Sequence, residues 1–163
     1  MHLNVFLLLL SLSLALAAPT PRADDNSSDS WLTAHNNERD QHGAGKLEWS
    51  SDLASAAQDW ANQCNFQTSD SKYGENIARG SGQFAPEDAV NLWLKSKQDY
   101  NPQNPESSSW TQIVWKSTRQ LGCAQAKCPT TNGDNQQVEQ TFYVCYYNPP
   151  GNVSGQYNNN VQP

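Results

Sequence analysis

The stretch Trp110-Thr111-Gln112-Ile113-Val114-Trp115-Lys116-Ser117-Thr118-Arg119-Gln120-Leu121-Gly122-Cys123 decides how the C-terminal third of the chain is read. Its apolar residues need a partner. One stands downstream in Phe142-Tyr143-Val144-Cys145-Tyr146-Tyr147, a run dense in aromatic and β-branched side chains. That run is expected to be a strand. Its neighbours would be Trp110 to Trp115 and Leu121 to Lys127, giving a small antiparallel sheet. Residues 129–137 are polar and read as the hairpin loop.

Upstream, the apolar period changes from two to between three and four. A first helix is expected to begin after Asp29 or Ser30, either of which can cap its free amides, and to stop at Gly43. A second follows Ser50 or Ser51, with Leu53, Ala57, Trp60, Ala61 and Cys64 on one face. A third starts at Pro86, where Glu87 and Asp88 suit the helix dipole. It carries Val90, Trp93, Leu94 and Lys97 along one side and ends before Asn101-Pro102. Helices gathered around a small antiparallel sheet make an α+β domain.

Residues 1–18 read as a signal peptide. A short leucine run precedes Ala15-Leu16-Ala17, which fits the small-x-small cleavage rule. The run is shorter than the ~20 apolar residues that span a bilayer, and no second one follows. Residues 19–29 are rich in Pro, Ser and Asp and read as a flexible leader. Residues 30–163 then form one domain. The net charge of −6 disfavours nucleic acid as a partner. The expected product is a secreted, extracellular monomer without a membrane span.

Four cysteines, Cys64, Cys123, Cys128 and Cys145, suit a disulfide framework in a secreted chain. No Cys-x-x-Cys pair supports a zinc site, and spacing alone leaves three pairings open. Asn26-Ser27-Ser28 and Asn152-Val153-Ser154 are sequons, so Asn26 and Asn152 are candidate glycosylation sites.

The Trp-Thr-Gln stretch resembles the signature of the CAP superfamily, which takes in cysteine-rich secretory proteins, antigen-five allergens and plant pathogenesis-related class-one proteins. His35, Asn36 and Arg39 are similar to its first-helix pattern, Tyr73-Gly74-Glu75-Asn76 to its Gly-Glu-Asn motif, and residues 143–152 to its second signature. Trp93 and Tyr100 match a helix with those residues seven apart. The context is nearest to the fungal branch of secreted pathogenesis-related-like proteins, of which this would be a divergent member. The resemblance implies an α-β-α sandwich and pairs Cys64 with Cys123 and Cys128 with Cys145. His35 is expected to be a packed structural residue.

The family's cleft holds two histidines and two carboxylates, a set suited to a divalent cation. Anchored on neighbouring landmarks, its four positions are Thr68, Glu75, Ser96 and Ser109 here. Ser109 stands where a histidine would precede the aromatic Trp110. One carboxylate among hydroxyls lacks the paired acid and base of hydrolysis, and no nucleophile-elbow motif is present. No catalytic residue, metal or cofactor is therefore expected.

Sterol-binding relatives use an aromatic-rich loop. The corresponding residues, Asn101, Pro102, Gln103, Asn104, Pro105, Glu106, Ser107 and Ser108, followed by Trp110, offer little apolar surface. A separate fatty-acid groove in the family lies between the first and third helices, with Leu32, Val90 and Leu94 as candidate contacts. The expected function is non-enzymatic: small-lipid binding with sterol affinity weakened or lost and fatty acids favoured, or contact with extracellular proteins without a small ligand.

Overall fold

The computed structural model describes residues 25–163, with side chains from residue 28 onward. The expected signal peptide and residues 19–24 of the leader, together with the side chain of Asn26, lie outside the described residues. The chain runs α1 (Asp25–Gln41), β1 (Glu48–Trp49), α2 (Ser51–Ala61), β2 (Gly74–Ser81), α3 (Pro86–Leu94), a 3₁₀ turn (Lys95–Asp99), α4 (Ser109–Ile113), β3 (Gln120–Thr131), β4 (Gln137–Asn148) and α5 (Tyr157–Asn160).

Helix α1 starts earlier than its cap residues suggested, so residues 25–29 are its first turns and not leader. Trp31, His35, Glu38, Arg39 and His42 are buried and recur at helical spacing on one face. Gly43 ends the element with φ +59°, in the left-handed region that glycine adopts most readily. Ser50 caps α2 by accepting the Leu53 amide at 3.3 Å. That helix buries only Leu53, Ala57 and Ala61, and it stops before Cys64, whose φ is +52°.

The four strands lie in the order β1-β3-β4-β2. The long β3–β4 hairpin and the β2–β4 pair are antiparallel, while β1 adds a two-residue parallel step. Both hairpin strands extend further than expected, leaving only residues 132–136 as the turn. Asn132 organises that turn, its Oδ1 accepting the amides of Asp134 at 3.1 Å and Gln136 at 2.9 Å.

Two cores form, one on each face of the sheet. Leu53, Ala57 and Ala61 meet Phe142, Val144, Tyr146 and Cys128. On the other side Trp31, Val90, Trp93, Trp110 and Ile113 meet Tyr143, Cys145 and Tyr147. This is the α-β-α sandwich expected.

The disulfides differ from the implied pairing: Cys64 joins Cys128, and Cys123 joins Cys145. Strand periodicity explains the difference. Cys123 and Cys145 are register partners on β3 and β4, 4.1 Å apart at Cα, on the aromatic face. Cys128 lies five residues beyond Cys123, an odd step, so it faces α2. There the left-handed turn at Cys64 brings the two Cα atoms to 5.6 Å.

A second difference concerns the opening stretch. Residues 109–113 are helical, not a strand. Ser108 and Thr111 make the reason plain. The Ser108 hydroxyl accepts the Thr111 amide at 3.1 Å, and the Thr111 hydroxyl accepts the Ser108 amide at 2.9 Å. This reciprocal cap starts a helix despite the β-branched residues that follow.

Candidate functional site

The three motifs meet at Gln112, whose Oε1 accepts the Gly151 amide at 2.9 Å. A Cβ on Gly74 would fall 2.2 Å from its side chain, and one on Gly151 would fall 2.7 Å away. Only glycine on both sides leaves room for this amide. Next to it the Thr111 hydroxyl donates to Asn152 Oδ1 at 2.6 Å, and Asn152 Nδ2 donates to the Ser108 carbonyl at 3.0 Å. The amide nitrogen of the second sequon is therefore turned into the protein.

Beneath this junction His35 is fully buried. Its Nδ1 lies 2.8 Å from the Trp31 carbonyl, which can only accept, so Nδ1 carries the proton. Nε2 then accepts from the Tyr147 hydroxyl at 2.8 Å, and that hydroxyl accepts from Asn76 Nδ2 at 3.1 Å. Burial lowers the His35 pKa to about 4 and pushes that of Tyr147 well above its ordinary value. Arg39 is equally enclosed. Its guanidinium donates to the carbonyls of Gly45 at 2.7 Å, Ile113 at 2.7 Å, Trp115 at 2.9 Å and Thr118 at 3.0 Å. Desolvation lowers its pKa to about 10, which leaves it charged at neutral pH. His35, Asn36 and Arg39 are scaffold: Asn36 likewise bonds both backbone groups of Leu47, at 2.7 Å and 3.2 Å.

The four cleft positions are not drawn into one cluster of contacts. Thr68 is exposed, and the adjacent Ser69 reaches Glu75 instead. Glu75 Oε2 accepts both the Ser69 amide and the Ser69 hydroxyl at 2.8 Å, and the Tyr146 hydroxyl donates to Ser69 Oγ at 2.8 Å. Desolvation raises the Glu75 pKa, against the two bonds from Ser69. Among the described residues Glu75 Oε1 and Ser71 Oγ are buried with no hydrogen-bond partner.

Ser96 and Ser109 belong to the other face. The Ser96 hydroxyl donates to the Trp93 carbonyl at 2.8 Å and accepts the Trp110 amide at 3.1 Å. The Ser109 carbonyl takes Asn76 Nδ2 at 3.0 Å. Asn76 follows Glu75 in β2, so the two side chains point to opposite faces. This donor set, one carboxylate among hydroxyls, does not fit a divalent transition metal. Among the described residues no three His, Cys, Asp or Glu side chains gather to hold a metal ion.

A polar cluster that the motifs do not announce surrounds Trp110. Glu38 Oε1 accepts the Trp110 indole N–H at 2.8 Å and lies 3.1 Å from His42 Nε2 and 3.3 Å from Lys97 Nζ. The i, i+4 spacing of Glu38 and His42 on α1 was the one available signal. Trp110 is thus a core residue and no part of an exposed loop; its exposure is 0%. Residues 101–107 before it are exposed apart from a half-buried Pro105.

Between α1 and α3 runs an open groove of about 770 Å³, lined by Thr33, Ala34 and Gln41 from one helix and Val90, Asn91 and Leu94 from the other. Three carboxylates, Asp29, Glu38 and Glu87, also border it, and Ser30 donates to Glu87 across it. Leu32 is not in this groove. It faces a smaller hollow with Asn36, Asp40 and Lys46, because it lies one or two residues off the α3-facing side of the helix.

Residues 32–147 match the model of the cysteine-rich secretory protein family, known as CAP. The chain belongs to that family. It is 40% identical over 151 residues to the fruiting body protein SC7 of Schizophyllum commune, covering 83% of this chain and 72% of that one. It is 37% identical over 143 residues to pathogenesis-related protein 1 of Arabidopsis thaliana, covering 83% of each. The crystal structure of MpPR-1i superposes with a TM-score of 0.65 at 32% identity, over 86% of this chain and 97% of that one.

Within this CAP domain, the motif residues His35, Asn36, Arg39, Asn76 and Gln112 hold its elements together, while Glu75 bonds only Ser69. The residues that sequence reasoning missed are Ser69, Ser71 and Tyr146 around Glu75, and Glu38, His42 and Lys97 around Trp110. Strand parity would have paired Tyr146 with Glu75 had β2 been recognised as a strand.

Proposed function

We propose that this protein is a secreted, non-catalytic CAP-domain binding protein whose small-lipid site is the α1–α3 groove. The carrying observation is the groove itself. At about 770 Å³ it falls within the ~300–1,000 Å³ of ordinary ligand sites, and Val90 and Leu94 give it an apolar wall. Its three bordering carboxylates disfavour a fatty acid's own carboxylate, so the reading favours an alkyl chain with an uncharged head group. Sterol affinity is weakened, since residues 101–107 present polar side chains and Trp110 is spent in the core. The non-catalytic part rests on chemistry: both ring nitrogens of His35 are engaged in the core, and Ser69 has a carboxylate but no imidazole beside it.

The test is a binding titration of the purified secreted protein with hexadecanol, palmitate and cholesterol. Hexadecanol should bind saturably, palmitate more weakly and cholesterol not at all. Leu94→Asp should abolish hexadecanol binding. Saturable cholesterol binding, or hexadecanol binding indifferent to Leu94→Asp, would refute the reading.

A further inference from the structure

A second and wider groove, about 1330 Å³, lies elsewhere, between the N-terminal half of α2, the outer edge of β3 and the loop before α3. It exists because β1 is only two residues long. β1 covers β3 at Gln120 and Leu121, and among the described residues no strand pairs with the edge beyond. Size alone puts it above the ~300–1,000 Å³ of single small-molecule sites and suits a ligand of several linked units.

Its lining is uncommon in composition. Two half-buried aromatic side chains, Trp49 and Phe84, face it. Among the described residues Trp49 makes no ring-to-ring contact, and its indole N–H has no acceptor. Phe84 is held rigidly. Its ring lies on Gly80, where a Cβ would come within 2.4 Å of it; its carbonyl accepts the Tyr143 hydroxyl at 2.7 Å, and its amide bonds the Gly82 carbonyl at 3.1 Å. A ring fixed before binding loses little entropy on binding.

The polar side chains between the rings are amides and hydroxyls. Gln83, Gln125, Ser51 and Ser55 line the groove, and no hydrogen bond within the described residues uses their side chains. The two charged residues there are already engaged. Asp88 accepts the Ala85 amide at 2.8 Å, and Lys127 donates to the Thr141 hydroxyl at 2.7 Å. Two rings in one groove with uncommitted neutral donors and acceptors fit a ligand with apolar C–H faces ringed by hydroxyls. They do not fit an anion, a cation or an alkyl chain.

An extended peptide added to the β3 edge is the competing occupant. The edge is spoiled for it. Arg119 and Leu121 give their carbonyls to β1, so odd-numbered residues face outward. Of these, Gln125 already has its carbonyl taken by Gln58 Nε2 at 2.8 Å, and Pro129 has no N–H to offer.

We propose that the groove between α2, the β3 edge and the Phe84 loop binds a neutral oligosaccharide, with Trp49 and Phe84 stacking on successive sugar rings and Gln83 and Gln125 bonding their hydroxyls. The test is calorimetry and amide-shift mapping of the secreted protein with cellohexaose, laminarihexaose and chitohexaose. At least one should bind saturably and shift the amides of Cys123 to Lys127 and of the loop around Phe84. Trp49→Ala and Phe84→Ala should each weaken it by about tenfold, and Trp49→Phe should retain most of it. Leu94→Asp, in the other groove, should leave it unchanged, which keeps this test separate from that of lipid binding. Shift mapping on the unmodified protein decides the matter even if an alanine variant misfolds. Failure of all three sugars, binding that maps outside this groove, or displacement of the sugar by an extended peptide would overturn the proposal.

Discussion

The two faces of the central sheet treat buried polar atoms differently. On the aromatic face, His35, Tyr147, Asn76, Arg39 and Gln112 form a network in which every member has partners. On the α2 face, Glu75 Oε1 and Ser71 Oγ are buried with none among the described residues. Buried polar groups in folded proteins are nearly always paired, so the second face is the exception. The contrast separates two kinds of motif residue. Those of the aromatic face hold α1, α4 and the strands together, and their chemistry is consumed in doing so. Glu75 stands where a binding centre would be, and the residues around it satisfy only half of its carboxylate.

The sharpest way to break this contrast is to remove Arg39. Arg39→Ala would take a donor from four carbonyls and leave those of Gly45 and Ile113 with none, since Trp115 still accepts the Thr118 amide and Thr118 still accepts Arg119 Nη1. Each orphaned group costs about 1–3 kcal/mol, and the cavity left by this buried side chain adds to it, so the expected loss is roughly 4–5 kcal/mol in a denaturant titration. A loss under about 1 kcal/mol would mean that water reaches these carbonyls and that the aromatic face is no tighter than the other.

The disulfides extend the comparison, since each face has one. Cys64–Cys128 closes a sequence separation of 64 and Cys123–Cys145 one of 22. Loop-closure entropy predicts losses of about 4 and about 3 kcal/mol for the paired alanine variants, the α2-face bridge being the costlier. Peptide mapping of unreduced protein should find these two linkages; a Cys64–Cys123 peptide would contradict the geometry.

That pairing also marks the boundary of what the sequence discloses. Helices α2 and α3 were legible, because cap residues and apolar spacing are local. The β3–β4 hairpin was legible from its aromatic density. The bond partners were not, although one fact would have supplied them: Cys123 and Cys128 differ by an odd number of residues on a single strand. Helix α4 was misread because a run of Trp, Ile and Val favours a strand by composition, while the cap formed by Ser108 and Thr111 decides the outcome. At the site, Glu75 was identifiable from its motif. Ser69 and Tyr146 were not, because one lies in an irregular loop and the other reaches it through sheet register.

A pH titration probes the two faces with opposite sign, and on the aromatic face it reads His35. His35 is buried in its neutral form with a pKa of about 4, against about 6.5 in the unfolded chain. Between those values the unfolded chain holds a proton that the folded one does not. Stability from this residue is therefore complete above pH 6.5 and is lost as pH falls toward 4, by about 3 kcal/mol in all. His35→Gln keeps an acceptor for Tyr147 and a donor for the Trp31 carbonyl without the titration. Its denaturation midpoint should be nearly flat over that window, while that of the unmodified protein falls. Equal slopes in the two proteins would place the acid sensitivity elsewhere.

The smallest effect is expected at Glu75, and its sign matters more than its size. Burial raises the Glu75 pKa, so the folded state holds this proton more tightly than the unfolded one. Its contribution runs opposite to that of His35: present at low pH, and lost as pH rises past the ordinary carboxylate range. Glu75→Gln removes the desolvated charge and keeps an acceptor for Ser69. At neutral pH the change should stay within about 1 kcal/mol and lean toward stabilisation. Zinc added to either protein should give no stoichiometric calorimetric signal, because Thr68, Ser96 and Ser109 supply only hydroxyls beside the one carboxylate of Glu75. A one-to-one zinc isotherm lost on Glu75→Gln would show that the unsatisfied oxygen is half of a metal site and that the looser face is the functional one.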